Sequence, residues 1–278
     1  MSVTFIGNRP FHWGSRTYVM GIVNLTTDSF SGDGLRGNIE AAVSQALEFQ
    51  GYGADIIDIG GESSRPGADP VSADEELERV IPVVQGVADE TKAIVSVDTC
   101  KAVVADQALQ AGADMINDVT ALRGDPEIVQ LVAQADASII LMHMQGDPRT
   151  MQQKPTYTNL IDEISLFLQE SIEFAESNGV SPRRIIIDPG IGFGKAIQDN
   201  LEILRQLNQF RKLGKPMLIG TSRKSFIGEI LDLPVECRLE GTAATVAWSI
   251  AGGVDIVRVH DVKPMKRVAQ MTDAISRY

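Results

Sequence analysis

Basic charge is scarce in this chain. Its 278 residues carry 25 Lys and Arg against 37 Asp and Glu, a formal net charge of −12. A surface of that sign repels the phosphate backbone of nucleic acid and the headgroups of anionic lipid, so neither is an expected partner. An anionic small molecule would need local cations of its own. Cysteine is also nearly absent. Cys100 and Cys237 are the two present and lie far apart, which excludes a disulfide framework and fits free thiols in a reducing compartment. A reactive thiol at Cys100 is the alternative reading there. No Cys/His cluster has zinc spacing. No apolar run is long enough to span a membrane. The most apolar stretch, 241–259, is interrupted by Gly252, Gly253 and Asp255, and reads as a buried helix followed by a strand. The beginning of the chain lacks the basic and apolar regions of a signal peptide, and no linker or low-complexity segment divides it. The expectation is one cytoplasmic domain over 1–278. An apolar fraction of 44% is enough for a real core.

Against these absences stands a repeated phrase. Gly53-Ala54-Asp55-Ile56-Ile57-Asp58, Gly112-Ala113-Asp114-Met115-Ile116-Asn117 and Gly253-Val254-Asp255-Ile256-Val257-Arg258 share one pattern. In each, a glycine able to take the left-handed conformation closes a helix. A short apolar run follows, of strand length, and ends on a polar residue. In parallel α/β folds ligands bind at the carboxyl ends of strands, so Asp58, Asn117 and Arg258 are expected to face one rim.

Eight apolar runs of this kind occur, at 18–24, 55–60, 93–98, 114–118, 137–143, 184–188, 216–221 and 255–260. Helical patterns separate them. Ser72 and Glu75 have capping-box spacing, and Leu77, Val80, Ile81, Val84, Val87 and Ala88 then form an apolar stripe. A second helix is expected over 159–178, stopped by Asn178-Gly179. Residues 3–13 alternate weakly around a Gly-Asn turn and read as a short N-terminal β-hairpin closing the bottom of the fold. Eight strand–helix alternations predict an α/β (β/α)8 TIM barrel; an open doubly wound sheet is the alternative.

Polar groups crowd the strand ends, in two sets. Arg65, Lys224, Arg258 and His260 suit phosphate. Asp98, Asn117 and Asp188 suit the hydrogen-bonding edge of a flat heterocycle, since a carboxylate accepts two parallel N–H bonds and a carboxamide both donates and accepts. The implied ligand is a polar heterocycle carrying phosphate. Asn24 offers one hard oxygen, enough for Mg²⁺ when phosphate supplies other ligands.

Six segments carry a resemblance: 24–30, 60–67, 142–146, 188–195, 222–225 and 258–262. In this order, over nearly the whole chain, they resemble the signatures of dihydropteroate synthase. That family is a TIM barrel that joins 4-aminobenzoate to 6-hydroxymethyl-7,8-dihydropterin diphosphate, releases diphosphate, uses Mg²⁺ and serves folate synthesis. The resemblance implies that Asp98, Asn117, Asp188 and Lys224 hold the pterin, that Asn24 meets Mg²⁺, and that Arg258 and His260 meet the diphosphate. Phe30, Arg65, Pro66 and Ser225 would shape the aminobenzoate pocket. Ser64 stands where the family usually has threonine near the diphosphate, and keeps the hydroxyl. Arg258, His260 and Lys224 are the expected catalytic residues, and a homodimer is the family's usual state. The first loop departs from the family: Thr27 replaces a usual proline, and Ser31-Gly32-Asp33-Gly34 reorders Ser-Asp-Gly-Gly.

Other residues have plainer readings. Asp58 and Glu62 are expected to brace the second loop. His143 reads as a structural histidine. Lys195 binds phosphate or is solvated. Glu75, Glu76 and Glu78 read as a wet helix face near a favourable N-terminus. Two rival functions remain: a pterin-binding methyltransferase domain, which would need a corrinoid partner, and a non-catalytic pterin-binding homologue.

Overall fold

The computed structural model describes residues 3–26, 38–63, 68–146, 151 and 155–277. It opens with an antiparallel pair, β1 (Val3–Ile6) and β2 (Arg9–His12). Eight parallel strands follow: β3 (Tyr18–Asn24), β4 (Ile56–Gly60), β5 (Ile94–Asp98), β6 (Met115–Asp118), β7 (Ser138–Met142), β8 (Ile185–Asp188), β9 (Leu218–Ile219) and β10 (Ile256–Val259). Their order is β8-β7-β6-β5-β4-β3-β10-β9, and a bridge between Ile187 and Met217 joins the two ends. The sheet is therefore a closed barrel, as the eight alternations predict. The run 216–221 contributes only two regular strand residues; Pro216 has no N–H to give to a ladder.

Helices cover the outside: α1 (Ile39–Gly51), α2 (Ala73–Glu90), α3 (Ala102–Gln110), α4 (Ile128–Gln134), α5 (Leu160–Ser177), α6 (Ile197–Arg205), α7 (Ser225–Leu231), α8 (Leu239–Ala251) and α9 (Val262–Ser276). Ser72 caps α2, its hydroxyl accepting from Glu75 N–H at 3.2 Å, and Asn159 caps α5. One expectation fails on α2. Glu76 is not on a wet face but fully buried, its carboxylate paired with the Lys101 ammonium beside Glu62. The first turn of α2 packs against the strand ends, so a position that is outward on an isolated helix is inward here.

The barrel interior is layered by the two-residue period of its strands. Met20, Ile56, Ile94, Met115, Ile140, Ile186, Leu218 and Ile256, one from each barrel strand, pack in a single cluster with Ile6, Phe11, Trp13 and Tyr18. The hairpin thus plugs the lower end with aromatic rings; the Phe11 and Tyr18 ring centroids are 4.4 Å apart. The alternate residues, such as Val19, Ile57, Val95, Ile116 and Val257, join the helices in the larger outer core. Two residues above the apolar layer, the same inward face carries Ile22, Asp58, Ser96, Asn117, Met142, Asp188, Gly220 and Arg258. One further step gives Asn24, Gly60 and Asp98, which sit in register on adjacent strands. The lumen is apolar below and polar above.

The aspartates of the repeated phrase do the same job at the lower rim. Asp55 accepts from Val19 N–H at 3.1 Å, Asp114 from Val95 N–H at 3.0 Å and Asp255 from Met217 N–H at 3.0 Å. Each side chain bonds the start of the neighbouring strand, fixing the stagger between the pair. Around Asp55 burial opposes ionisation, but the forked Arg16 and nearby Lys266 outweigh it and hold the carboxyl below its usual range. Asp114→Ala should lower stability by about 1–3 kcal/mol, the cost of a polar group left without its partner. Chemical denaturation measures this, and an unchanged midpoint would contradict the bracing role.

Candidate active site

At the carboxyl ends of the strands lies a cavity of about 560 Å³. Of the residues singled out from sequence, Asn24, Asp98, Lys224, Ser225, Arg258 and His260 line it. Asn117 and Asp188 belong to the same end of the barrel but are buried in the lumen rather than in the cavity wall. Arg65 and Ser64, with Phe30, Pro66 and the first-loop departures at Thr27 and 31–34, lie outside the described residues.

The polar ends of all three repeats meet. Arg258 Nε–H donates to Asp58 Oδ2 at 2.6 Å, and its Nη2–H to Asp98 Oδ2 at 2.8 Å. Asn117 Nδ2–H donates to the same Asp58 oxygen at 3.2 Å, while Ser96 Oγ–H donates to Asp58 Oδ1 at 2.7 Å. Asp58 is fully buried and does not reach the cavity. It does not brace the second loop, as sequence suggested, but aims the arginine. One clue was available: in Ile56-Ile57-Asp58-Ile59, strand alternation puts the carboxylate in the lumen, where a buried charge demands a partner. Glu62 does hold the second-loop stem, accepting from Val71 N–H at 3.3 Å and from Lys101.

The electrostatics follow from crowding in a low-dielectric lumen. Burial opposes the charge on Arg258, but Asp58 and Asp98 outweigh it and raise its pKa, so the guanidinium stays charged. Burial pushes Asp98 up to about 7, against the pull of Arg258 and with a further push from Asp58. Burial lifts Asp188 to about 6, opposed by a 2.7 Å bond from Gly190 N–H and by Lys224, Lys195 and Arg258.

The other basic side chains of the rim are fixed by neighbouring motifs. His260 N–H donates to Ser222 Oγ at 3.2 Å, and its Nδ1 is 3.0 Å from the same hydroxyl. Arg223 forks onto Asp261 at 2.9 and 2.7 Å. The motif after β9 thus pins the motif after β10. Lys224 Nζ stands 4.0 Å over the Phe193 ring. Lys195 is not solvated; it is buried against His143. Cys100 is no thiolate at neutral pH, because burial pushes its thiol up to about 12. Among the described residues no three His, Cys, Asp or Glu side chains cluster as a metal site, and no helix is long and apolar enough to cross a membrane.

The barrel and its rim define an enzyme site for a polar small molecule, with carboxylates and basic side chains meeting at the carboxyl ends of the strands. Comparison with known proteins narrows the class. Residues 20–260 match the family model described as pterin binding enzyme. Dihydropteroate synthase of Synechocystis sp. is 50% identical over 98% of this chain and 94% of its own. Among solved structures, the Yersinia pestis dihydropteroate synthase in complex with a sulfonamide drug is 39% identical with a TM-score of 0.95, covering 99% of each chain. The Xanthomonas albilineans dihydropteroate synthase with 4-aminobenzoic acid is 42% identical with a TM-score of 0.89, covering 97% of this chain and 96% of that one. The chain belongs to the pterin-binding enzyme family, among its dihydropteroate synthases, which are transferases.

Breaking the buried pair from one side should be costly. Asp58→Ala leaves Arg258 without its lumen partner and should destabilise the fold by about 3–5 kcal/mol. Replacing Arg258 in the same background should recover part of that loss. Urea unfolding of the two variants checks this, and equal stability of both would contradict the pairing.

Proposed function

We propose that the cavity joins 4-aminobenzoate to 6-hydroxymethyl-7,8-dihydropterin diphosphate and releases diphosphate. The observation that carries this reading is the pairing of Arg258 and Asp98 on one rim, a phosphate cation beside a heterocycle-reading carboxylate, 2.8 Å apart. The Xanthomonas albilineans relative was solved with 4-aminobenzoic acid, which fits the proposed second substrate. Full-length identity to synthases supports it over the methyltransferase and non-catalytic readings.

In this reading Asp98, Asn117, Asp188 and Lys224 hold the pterin. Arg258 and His260 meet the diphosphate, with Ser64 nearby. Arg65 and Ser225 border the aminobenzoate. The methylene carbon–oxygen bond breaks, and its electron pair leaves on the diphosphate oxygen. Arg258 and His260 stabilise that growing negative charge electrostatically. The dihydropterin ring delocalises the positive charge on the methylene, helped by Asp98 and Asp188. The aminobenzoate nitrogen then forms the new carbon–nitrogen bond and gives up a proton. Its aniline is already neutral, so no strong base is required.

Mg²⁺ would be held here as a shared ion: Asn24, which lines the cavity at the end of β3, would offer one carboxamide oxygen, and the diphosphate would supply others. Bound there, Mg²⁺ would add Lewis-acid neutralisation of diphosphate charge. The whole chain, 1–278, acts as one domain in this reading, since the hairpin and barrel share a core cluster. A homodimer is also proposed. Ile230 and Leu231 on α7, Trp248 on α8, and Met271 and Ile275 on α9 are large apolar side chains left exposed, as an interface requires.

Diphosphate release on mixing the two substrates, with and without Mg²⁺, tests the reaction; no release with intact pterin binding would reject it. Arg258→Ala should lose about 10²–10³ in turnover, the usual cost of one transition-state contact. Asp188→Asn should weaken pterin binding most, read by calorimetry. Only an ionised carboxylate has both oxygens free to accept two parallel N–H bonds. Pterin affinity should therefore fall with decreasing pH through the Asp98 value of about 7 and the Asp188 value of about 6. A pH-independent affinity would contradict those contacts.

A further inference from the structure

The run Gly190-Ile191-Gly192-Phe193-Gly194-Lys195 is not used by the reaction above, yet it ends on a lysine only 2% exposed. An ammonium has three donors. Three acceptors surround Lys195 Nζ: His143 Nδ1 at 2.8 Å, Phe193 O at 3.0 Å and His143 O at 3.4 Å. His143 must offer a lone pair at Nδ1. Burial and the adjacent Lys195 charge pull its pKa down to about 2, which keeps it neutral and able to do so. Burial pulls Lys195 itself down to about 7, against the supporting charge of Asp188.

The surrounding backbone is drawn equally tight. His143 N–H donates to Asp188 O at 2.9 Å. A Cβ on Gly190 would stand 1.9 Å from His143 O, so the close approach excludes every residue but glycine. Tyr157 Oη–H donates to Gly194 O at 2.6 Å. The run after β8 is thereby folded back onto the loop after β7. That fold presents the largely buried Phe193 ring to the cavity, beneath Lys224.

We propose that Lys195 is a positioning residue for the pterin: by tying the Phe193 carbonyl to His143 it fixes the Phe193 ring, and through that ring the Lys224 ammonium, at the cavity wall. An apolar side chain would fill the same space without the cost of burying a cation. What the ammonium adds is direction, because its three bonds fix the loop at one place. When protonated, Lys195 also adds positive charge near Asp188, beside Lys224 and Arg258.

This inference rests on the proposed reaction, and the experiment separates the two. The wild-type chain is assayed first; failure to release diphosphate from the two substrates rejects the reaction itself. Lys195→Met is then compared under the same conditions. The KM for the pterin diphosphate should rise about 10–10²-fold, the equivalent of one or two charge-assisted bonds, and kcat should fall by less than KM rises. A double-mutant cycle with Phe193→Leu should show strong non-additivity, because Lys195 acts through that ring. Unchanged KM, a loss confined to kcat, or fully additive effects would each overturn the proposal. Should Lys195→Met not fold, His143→Leu removes one anchor of the same tie. It should raise the same KM about tenfold, by the loss of one charge-assisted bond; an unchanged KM there overturns the proposal equally.

Discussion

The ion pair between Asp58 and Arg258 is the constraint on which the upper barrel depends. Asp58 is fully buried and spends its acceptors on Ser96, Asn117 and Arg258. Four strands of the barrel are thereby connected through one carboxylate. Such a pair is a weak source of net stability, because an apolar pair of similar volume would often do as well. Its contribution is orientation. Arg258 starts two residues above the apolar layer, and the pull of Asp58 and Asp98 holds its guanidinium where the strands end.

That placement resolves the charge problem posed by composition. An acidic protein that handles an anionic substrate must collect cations at one place. Arg258, His260 and Lys224 stand on the ends of β9 and β10 or just beyond, each fixed by a neighbour: carboxylates for Arg258, Ser222 for His260 and the Phe193 ring for Lys224. The carboxylates stand among them: Asp188 is level with Arg258 and Asp98 is one step above it, and burial raises both. The layered lumen therefore brings the two signs of charge together at the strand ends.

Much of this was legible from local pattern. The three repeated phrases, the caps at Ser72 and Asn159, and the eight apolar runs all reflect short-range rules, and the barrel realises them. The left-handed glycines expected at Gly53, Gly112 and Gly253 have φ of 92°, 110° and 92°. The rim residues Asp98, Lys224, Arg258 and His260 were readable because strand ends are marked by turn chemistry. Asp58, Glu76 and Lys195 were misread for one shared reason. Each is a charged side chain whose burial is imposed by elements distant in sequence: Arg258 is 200 residues from Asp58, Lys101 is 25 from Glu76, and His143 is 52 from Lys195.

The sequence by itself determined the alternation of strand and helix, the closing glycines, and which residues stand at the ligand end of each strand, because these follow from backbone sterics and a two-residue period. Tertiary structure alone decided which of those residues touch. The stagger between strands, set at the lower rim by Asp55, Asp114 and Asp255, determines that Arg258 rises to Asp58 and Asp98. Charge partners across a closed barrel are chosen by that stagger; the repeated phrase supplies the aspartates that hold it, but which strands lie side by side is decided only when the barrel closes.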